Sequence, residues 1–340
     1  MNLKNIFVES EPILSRAEIL RMLKGEAWPG IMLAVVIGLA AYFLGGVSLW
    51  LESLIIALVL GAIFGAVIRS FAGLFSVFLP GLIVAPIILI PLGLMAYGIN
   101  LNFNDLFAVD SYLLMKILGV LAVGFALVVI LSKLFKVDQK LALLLAVGST
   151  VCGASAITIA TPVAKANPDE TSKALLINIL AGALGVFLVF YALSSYVISI
   201  EQFAVLSGAT AFQTAFVKIL SSLGGLSKGL ASEAMAIKTM RVLLLVAVLP
   251  LISYIGRKKI FIPWYLSIFV GIGVLFSFVP SAAPYAGDLK KFYGAVFPIA
   301  LAAIGLNTNF RAALKNFSGA FFAVLISLLV VLGIFIWVVL

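Results

Sequence analysis

The sequence contains no histidine and one cysteine, Cys152, among its 340 residues. A single cysteine excludes an intramolecular disulfide, and the lack of imidazole excludes histidine-ligated metals, histidine-bound haem and imidazole proton relays. The chain also lacks a P-loop and any hydrophilic stretch long enough for a substantial soluble domain. Because no nucleophile–base or metal-ligand set is visible either, we expect neither an enzyme, nor a bound cofactor or metal, nor ATP-driven pumping by this chain alone.

Charged residues are also scarce, at 10% of the chain against 64% hydrophobic residues, and the mean hydropathy is +1.28. A water-soluble fold could not bury that much apolar surface, so lipid is the expected solvent. Apolar runs of roughly 20 residues, the length that spans about 30 Å of hydrocarbon, recur along the chain. They predict an all-α membrane protein with about eleven spans, at 29–45, 52–68, 77–99, 111–134, 139–165, 171–196, 203–222, 232–256, 261–280, 290–307 and 314–340.

The first 28 residues differ from the remainder because they carry eight charges of mixed sign. The stretch "ILSRAEILRMLKGEAW" has a helical apolar stripe with basic residues between its apolar positions. Residues 1–28 are therefore predicted to be a helix in the lipid headgroup region or a plain solvated lead-in. A single transmembrane domain, with core and dimerisation scaffold interleaved, is predicted to cover residues 29–340.

Basic residues gather in some of the short connections and are missing from others, such as 45–51 and 99–110. With eleven spans, this asymmetry predicts a multi-pass protein of the cell membrane with a cytoplasmic N-terminus and an external C-terminus. The net charge of +9 is thus mostly a signal of topology. It does not indicate a nucleic-acid partner.

An internal repeat links the two halves of the chain. "PLGLMAYGINLNF" at 91–103 aligns without a gap to "PIALAAIGLNTNF" at 298–310. In the predicted topology the two copies run in opposite directions, which is typical of secondary transporters with inverted repeats. Chance similarity between two apolar helices is the alternative. A shorter likeness, between the segments that begin at Gly153 and Gly208, joins two helices predicted to run in the same direction, which an inverted repeat does not explain.

Two runs of small and polar residues interrupt spans that lipid would favour as apolar. They are "AVGSTVCGASAIT" at 146–158 and "SGAT" at 207–210. Non-helical backbone inside a bilayer persists only where protein buries it or a wet cavity adjoins it. A half-helix that begins near Ala154 would aim N–H groups and its positive dipole end at the gap, where an anion finds donors.

These runs give the predicted substrate site. One half-helix end is formed by Ser149, Thr150, Cys152, Gly153, Ala154 and Ser155, and the other by Gly208, Thr210, Gln213 and Thr214. The alternative is close helix packing, because small residues let membrane helices approach and hydroxyls bond to carbonyls of their own helix.

Charge within the predicted spans is basic. Lys238 and Arg241 lie at i and i+3 in "AMAIKTMRVL", on one helix face and well inside a span, whereas Lys218 follows the second run and could instead reach the membrane surface. A buried guanidinium needs a partner, which a carboxylate, a carbonyl or a substrate anion would supply. All thirteen carboxylates lie at predicted span ends or in loops, which argues against sodium/proton exchange.

The chain resembles the YeiH-type sulfate exporter family of bacterial and archaeal membrane proteins. The resemblance rests on "GSTVCGASAI", "AMAIKTMRVL" and "ALAAIGLNTNF" and covers most of the chain after the first span. It implies kinship with broken-helix exchangers of the bile-acid and sodium/proton types, with two crossing discontinuous helices and an elevator motion against a dimeric scaffold. The chain departs from this family at 212–217, where "FQTAFV" replaces a string like His-Asp-Thr-Ala-Gln-Val and makes the pocket more apolar.

Together these features predict a secondary-active transporter, an exporter or exchanger, for a small anion such as sulfate, a sulfonate or a carboxylate. Its partners would be that anion, the lipid bilayer and a second copy in a homodimer, and the coupling ion, H⁺ or Na⁺, stays open. The rival within transport is a cation or proton antiporter, which needs a carboxylate such as Asp105 or Glu233 in the core. The rival from another class is a channel or a non-transporting membrane scaffold.

Overall fold

A computed structural model describes residues 16–46, 52–101, 103–104, 110–257, 262–309 and 316–339. Every regular element in these ranges is helical, which confirms the all-α fold class. The α-helices are α1 (Arg16–Leu23), α2 (Trp28–Gly45), α3 (Ser53–Arg69), α4 (Ala72–Tyr97), α5 (Ser111–Leu134), α6 (Gln139–Thr150), α7 (Ala154–Ala164), α8 (Pro168–Ser194), α9 (Ile200–Thr210), α10 (Thr214–Leu223), α11 (Lys228–Leu243), α12 (Leu245–Arg257), α13 (Trp264–Phe278), α14 (Ala286–Asn307) and α15 (Phe317–Ile334). Short 3₁₀ turns cover Gly98–Asn100 and Pro280–Tyr285, and a π-turn covers Phe335–Val339.

Seven helical segments in the described ranges are long and apolar enough to cross a membrane. They are Trp28–Gly45, Gly73–Asn100, Ser111–Leu134, Pro168–Ser194, Lys228–Ile255, Pro280–Asn307 and Phe317–Trp337. Four shorter apolar helices are Ser53–Arg69, Ala154–Ala164, Thr214–Leu223 and Trp264–Phe278. Large apolar side chains such as Phe43, Ile130 and Phe187 are exposed on these helices. Such surfaces fit lipid far better than water, so the chain is a multi-pass membrane protein.

Several helices begin at side chains that cap their first turn. Asp110 accepts hydrogen bonds from the N–H groups of Tyr112 and Leu113 at the start of α5, and Asp138 accepts one from Lys140 at the start of α6. Ser199 and Gln202 form a reciprocal capping box at α9. Of the predicted N-terminal helix, α1 is described, whereas residues 1–15 lie outside the described ranges.

The chain divides into two compact units. Unit 1 comprises residues 1–99, 158–172 and 249–315, and unit 2 comprises 100–157, 173–248 and 316–340.

Unit 1 is built around α14, which packs against α2, α3 and α4. Glycines allow the closest approach: a Cβ added to Gly61 of α3 would lie 2.5 Å from the Ala302 carbonyl oxygen. The C-terminus of α14 is capped by Arg69, whose guanidinium donates to the carbonyls of Thr308 at 2.8 Å and Leu306 at 3.4 Å. This arginine therefore neutralises a helix dipole end.

Both copies of the internal repeat end a helical segment at equivalent positions. The first closes with the turn Gly98–Asn100, and the second ends with α14 at Asn307. The further repeat residues Asn102 and Phe310 lie outside the described ranges.

In unit 2, α5 packs against α6 and α15, and α9 packs against α11. The Ser327 hydroxyl joins α15 to α5 by donating to the Gly124 carbonyl at 3.1 Å. The predicted interruptions lie between the short helices α6 and α7 and between the short helices α9 and α10.

Candidate functional site

The first interruption lies between α6 and α7, at residues 151–153, and is called the first break. Val151 leaves helical geometry with φ −105° and ψ −95°, and Gly153 has φ +70°. A side chain at Gly153 would be strained by that φ, and its Cβ would lie 2.5 Å from Gln213 Cγ. The sequence prediction of a broken span at 146–158 therefore agrees with the structure, with α7 beginning at Ala154.

The second interruption, the second break, covers residues 211–213 between α9 and α10. Ala211 and Gln213 adopt extended backbone, with ψ 128° and 151°. The predicted run 207–210 forms the last turn of α9, directly before this break, so Gly208 lies inside the helix. A Cβ there would meet the Ala234 carbonyl oxygen at 2.3 Å, so Gly208 serves close packing of α9 on α11.

The two breaks are in contact within unit 2. A Cβ on Gly153 would lie 2.9 Å from the Phe212 carbonyl oxygen as well as against Gln213. The shared Gly-Ala-(Ser/Thr)-Ala letters after Gly153 and Gly208 do not mark equivalent places, since Gly153 closes the first break while Gly208 precedes the second.

The C-terminal ends of α6 and α9 face Lys238 and Arg241 of α11. The Lys238 ammonium donates to the carbonyls of Val151 at 3.0 Å, Ala211 at 2.9 Å and Phe212 at 2.7 Å. The Arg241 guanidinium donates to four further carbonyl contacts: Thr150 at 3.1 Å, Ser149 at 3.0 Å, Ala211 at 2.7 Å and Gly208 at 3.3 Å. Of the partners left open by the sequence, backbone carbonyls are therefore present around both cations.

This arrangement suits the electrostatics of broken helices. The last carbonyls of a helix have no partner within it and carry about half a negative charge, so two such ends side by side would repel each other. Two cations on the i, i+3 positions of one helix satisfy both ends at once. The exposed fractions are 1% for Lys238 and 0% for Arg241, so these hydrogen bonds are shielded from water.

The buried charge of the described residues is entirely positive. Lys238 and Arg241 are the charged side chains that the described ranges bury, and no carboxylate is buried with them. Glu233 is half-buried on α11, and Asp105 lies outside the described residues.

At the opposite side of each break, the N-terminal ends of α7 and α10 adjoin two buried amides. The side chains of Asn178 and Gln213 are 0% and 1% exposed, and neither amide group has a hydrogen-bond partner. Asn178 Oδ1 would lie 3.2 Å from a Cβ on Gly153, and its Nδ2 2.8 Å from one on Gly148. Asn178 was not among the predicted site residues, although a polar amide inside the apolar run 171–196 was an available signal.

Most predicted hydroxyls bond within their own helix, as the packing alternative supposed. Ser149 donates to Leu145 and Ala146, Thr150 to Ala146, and Thr210 to Leu206. Ser149, Thr150 and Thr210 also line a cavity of about 20 Å³, room for one water molecule.

The remaining predicted residues are placed as follows. Ser155 donates to the Cys152 carbonyl at 3.2 Å, and Cys152 is buried and forms no disulfide. Thr214 is the first residue of α10 and is half-buried. Lys218 is exposed on α10, so the structure does not bring it together with the other site residues.

A larger cavity, of about 390 Å³, lies in unit 1 between α4, α14 and the turn that joins α7 to α8. Its lining is mostly apolar, with Lys165 as the charged member. None of the predicted site residues lines it.

Comparison with known proteins gives a matching family and several related membrane proteins. Residues 29–337 match the model of the family described as Conserved hypothetical protein 698. A UPF0324 membrane protein of Archaeoglobus fulgidus is 32% identical over 284 residues, which cover 82% of each chain. Similar proteins of the same description occur in Bacteroides thetaiotaomicron, 26% identical over 82% of this chain and 88% of the relative, and in Haemophilus influenzae, 27% identical over 84% and 88%.

No solved structure matches the chain. The family match extends from the first residues of α2 to the end of α15, so it includes both breaks and the two buried cations. This multi-pass helical membrane protein thus belongs to the family described as Conserved hypothetical protein 698.

Proposed function

We propose that the protein is a secondary-active transporter that carries a small anion, such as sulfate, a sulfonate or a carboxylate, across the cell membrane. One observation carries the proposal: two broken helices meet in a buried core whose described charged side chains, Lys238 and Arg241, are both positive. The dipoles of the helix ends cancel to first order because each break offers one positive and one negative end. The two cations therefore leave a net positive region that an anion would neutralise.

The position of this charge supports transport more than a static role. Burial of a cation in a membrane is costly, and such residues usually mark pathways for ions or substrates. Irregular backbone at membrane depth likewise occurs where protein or a wet cavity surrounds it. A scaffold needs neither feature, since unbroken apolar helices pack without them.

The resemblance to YeiH-type sulfate exporters extends the proposal. Each broken pair, α6–α7 and α9–α10, would then act as one crossing, and with α3 and α13 the chain would cross the membrane eleven times. The broken helices would move as an elevator against the scaffold of a homodimer, with a cytoplasmic N-terminus. The anion site would face alternate sides of the membrane in turn, driven by exchange or by a gradient of H⁺ or Na⁺.

Flux measurements in proteoliposomes test this function. Vesicles that contain the purified protein should accumulate radiolabelled sulfate, methanesulfonate or acetate at a rate that saturates with concentration, and unlabelled anion inside should accelerate the uptake. A linear concentration dependence would indicate a channel, and movement of Na⁺ or H⁺ without anions would favour the cation antiporter. The absence of any flux above that of protein-free vesicles would favour a scaffold.

A further inference from the structure

Among the residues that the structure describes, Asn178 of α8 and Gln213 of the second break are the buried amides without hydrogen-bond partners. We propose that they are the direct ligands of the transported anion, that this anion is a compact, fully ionised oxyanion, and that Lys238 and Arg241 do not contact it. This inference rests on the proposed function and assigns its binding groups.

Both amides lie beside the breaks. Gln213 is the N-cap residue of α10, yet its side chain makes no capping bond, and its carbonyl accepts from Phe216 and Val217. On α7, the first turn closes with Ile157 donating to the Gly153 carbonyl. The amides of Asn178 and Gln213 both adjoin Gly153. They therefore lie at the N-terminal ends of α7 and α10, which are the positive ends of both helix dipoles.

The lack of hydrogen-bond partners for these amides costs folding free energy. A buried amide without a partner loses its hydration and regains nothing, so such groups are rare in folded proteins. Each of these two residues leaves both its nitrogen and its oxygen unsatisfied, at 0% and 1% exposure. A leucine or methionine would fill the same space without that penalty. An external group that accepts hydrogen bonds from both amides accounts for their presence.

The charges around the amides indicate the charge of that external group. An acceptor of N–H bonds at two positive helix ends, in a region with two cations and no buried carboxylate among the described residues, is an anion. The same charges would repel Na⁺ from the amide oxygens. The ammonium of Lys238 has three N–H bonds, and all three are engaged by carbonyls. Lys238 thus acts on the anion through its field, and the neutral amides make the contact.

The surroundings of the amides also limit the size and the protonation of the anion. The amide atoms of Asn178 and Gln213 are enclosed, and a single added carbon at Gly153 would already lie 2.5 Å from Gln213 Cγ. An anion with a bulky organic body does not fit such a place. Because the described residues bury no carboxylate there to accept an acidic proton, an oxyanion without one is favoured.

Thermal unfolding of the full-length protein in detergent tests the assignment, with nitrate, sulfate and toluenesulfonate as probes at constant ionic strength. Nitrate or sulfate should raise the unfolding temperature, and toluenesulfonate should not. In Asn178→Leu and Gln213→Met the affinity for the stabilising anion should fall about tenfold or more. Without anion, both variants should unfold at or above the wild-type temperature, because each removes an unsatisfied buried amide.

Two further variants serve as controls for this test. Asn178→Asp keeps the size of the side chain but adds a negative charge, so it should lose the response to anions even if the leucine variant folds poorly. The exposed Asn309→Leu is the matched control and should respond as the wild type does.

Three outcomes would overturn the inference. An unchanged anion response in the folded Asn178 and Gln213 variants would remove these residues from the site while leaving anion transport intact. Equal stabilisation by toluenesulfonate would refute the compact anion. Stabilisation by sodium alone, with no response to any anion, would refute both this inference and the proposed function.

Discussion

The two sides of each break differ in the hydrogen-bond partners that the protein supplies. At the C-terminal ends of α6 and α9, seven hydrogen bonds from Lys238 and Arg241 satisfy the carbonyls. At the N-terminal ends of α7 and α10, the adjoining amides of Asn178 and Gln213 have no partner. The negative ends are thus neutralised permanently by the chain itself. Under our proposal, these two amides at the positive ends bind the transported anion.

Removal of the guanidinium should have the largest effect, because it unbalances the C-terminal side. Arg241→Ala leaves buried carbonyls of both breaks unsatisfied and is expected to lower the free energy of unfolding by about 3–5 kcal/mol. Thermal unfolding in detergent, together with the yield of monodisperse protein, measures this loss. The exposed Arg21→Ala is the matched control and should behave as the wild type. A stable Arg241→Ala protein would show that the C-terminal ends do not need this cation.

A side chain at Gly153 should have an intermediate effect, since it strains the point where the breaks meet. Gly153→Ala forces alanine to φ +70° and sets its Cβ 2.9 Å from the Phe212 carbonyl oxygen. We expect a loss of about 2–4 kcal/mol, from left-handed backbone strain and overpacking combined. Gly119→Ala on α5, where an added Cβ meets nothing within 4 Å, should be neutral or stabilising. Equal stability of the two variants would contradict the close approach of the breaks.

The hydroxyl of Ser149 should matter least, although the sequence marked it as a ligand. Because it donates to carbonyls of its own helix, Ser149→Ala should lose at most about 1 kcal/mol of stability and keep the full response to anions. Unfolding temperatures with and without sulfate measure both quantities. Ser327→Ala, which removes a bond between α15 and α5, is the comparison and should destabilise more. Loss of the anion response in Ser149→Ala would restore this hydroxyl to the site.

The sequence predicted the helices well because hydrophobicity and length decide where a lipid-embedded helix lies. The predicted span 111–134 coincides with α5, and the small-residue run 146–158 contains the first break. The sequence did not show that the second break lies just after the run 207–210, because a glycine that permits close packing and one that permits a break have the same local signature.

The partners of the site residues could not be predicted, because they are distant in the chain. Arg241 bonds to carbonyls 91 and 92 positions away, and backbone groups leave no trace in the identity of the residues that carry them. Asn178 was missed for a related reason. One asparagine in an apolar run does not reveal which helix it faces until the chain is folded.

Uptake of labelled sulfate or nitrate by proteoliposomes containing Asn178→Leu tests most directly whether the two buried amides bind the anion. Wild type and the exposed-cation control Lys218→Ala should both show saturable uptake, because neither alters the breaks. Asn178→Leu should be folded, inserted and inactive. Uptake by Asn178→Leu at the wild-type rate would contradict the account.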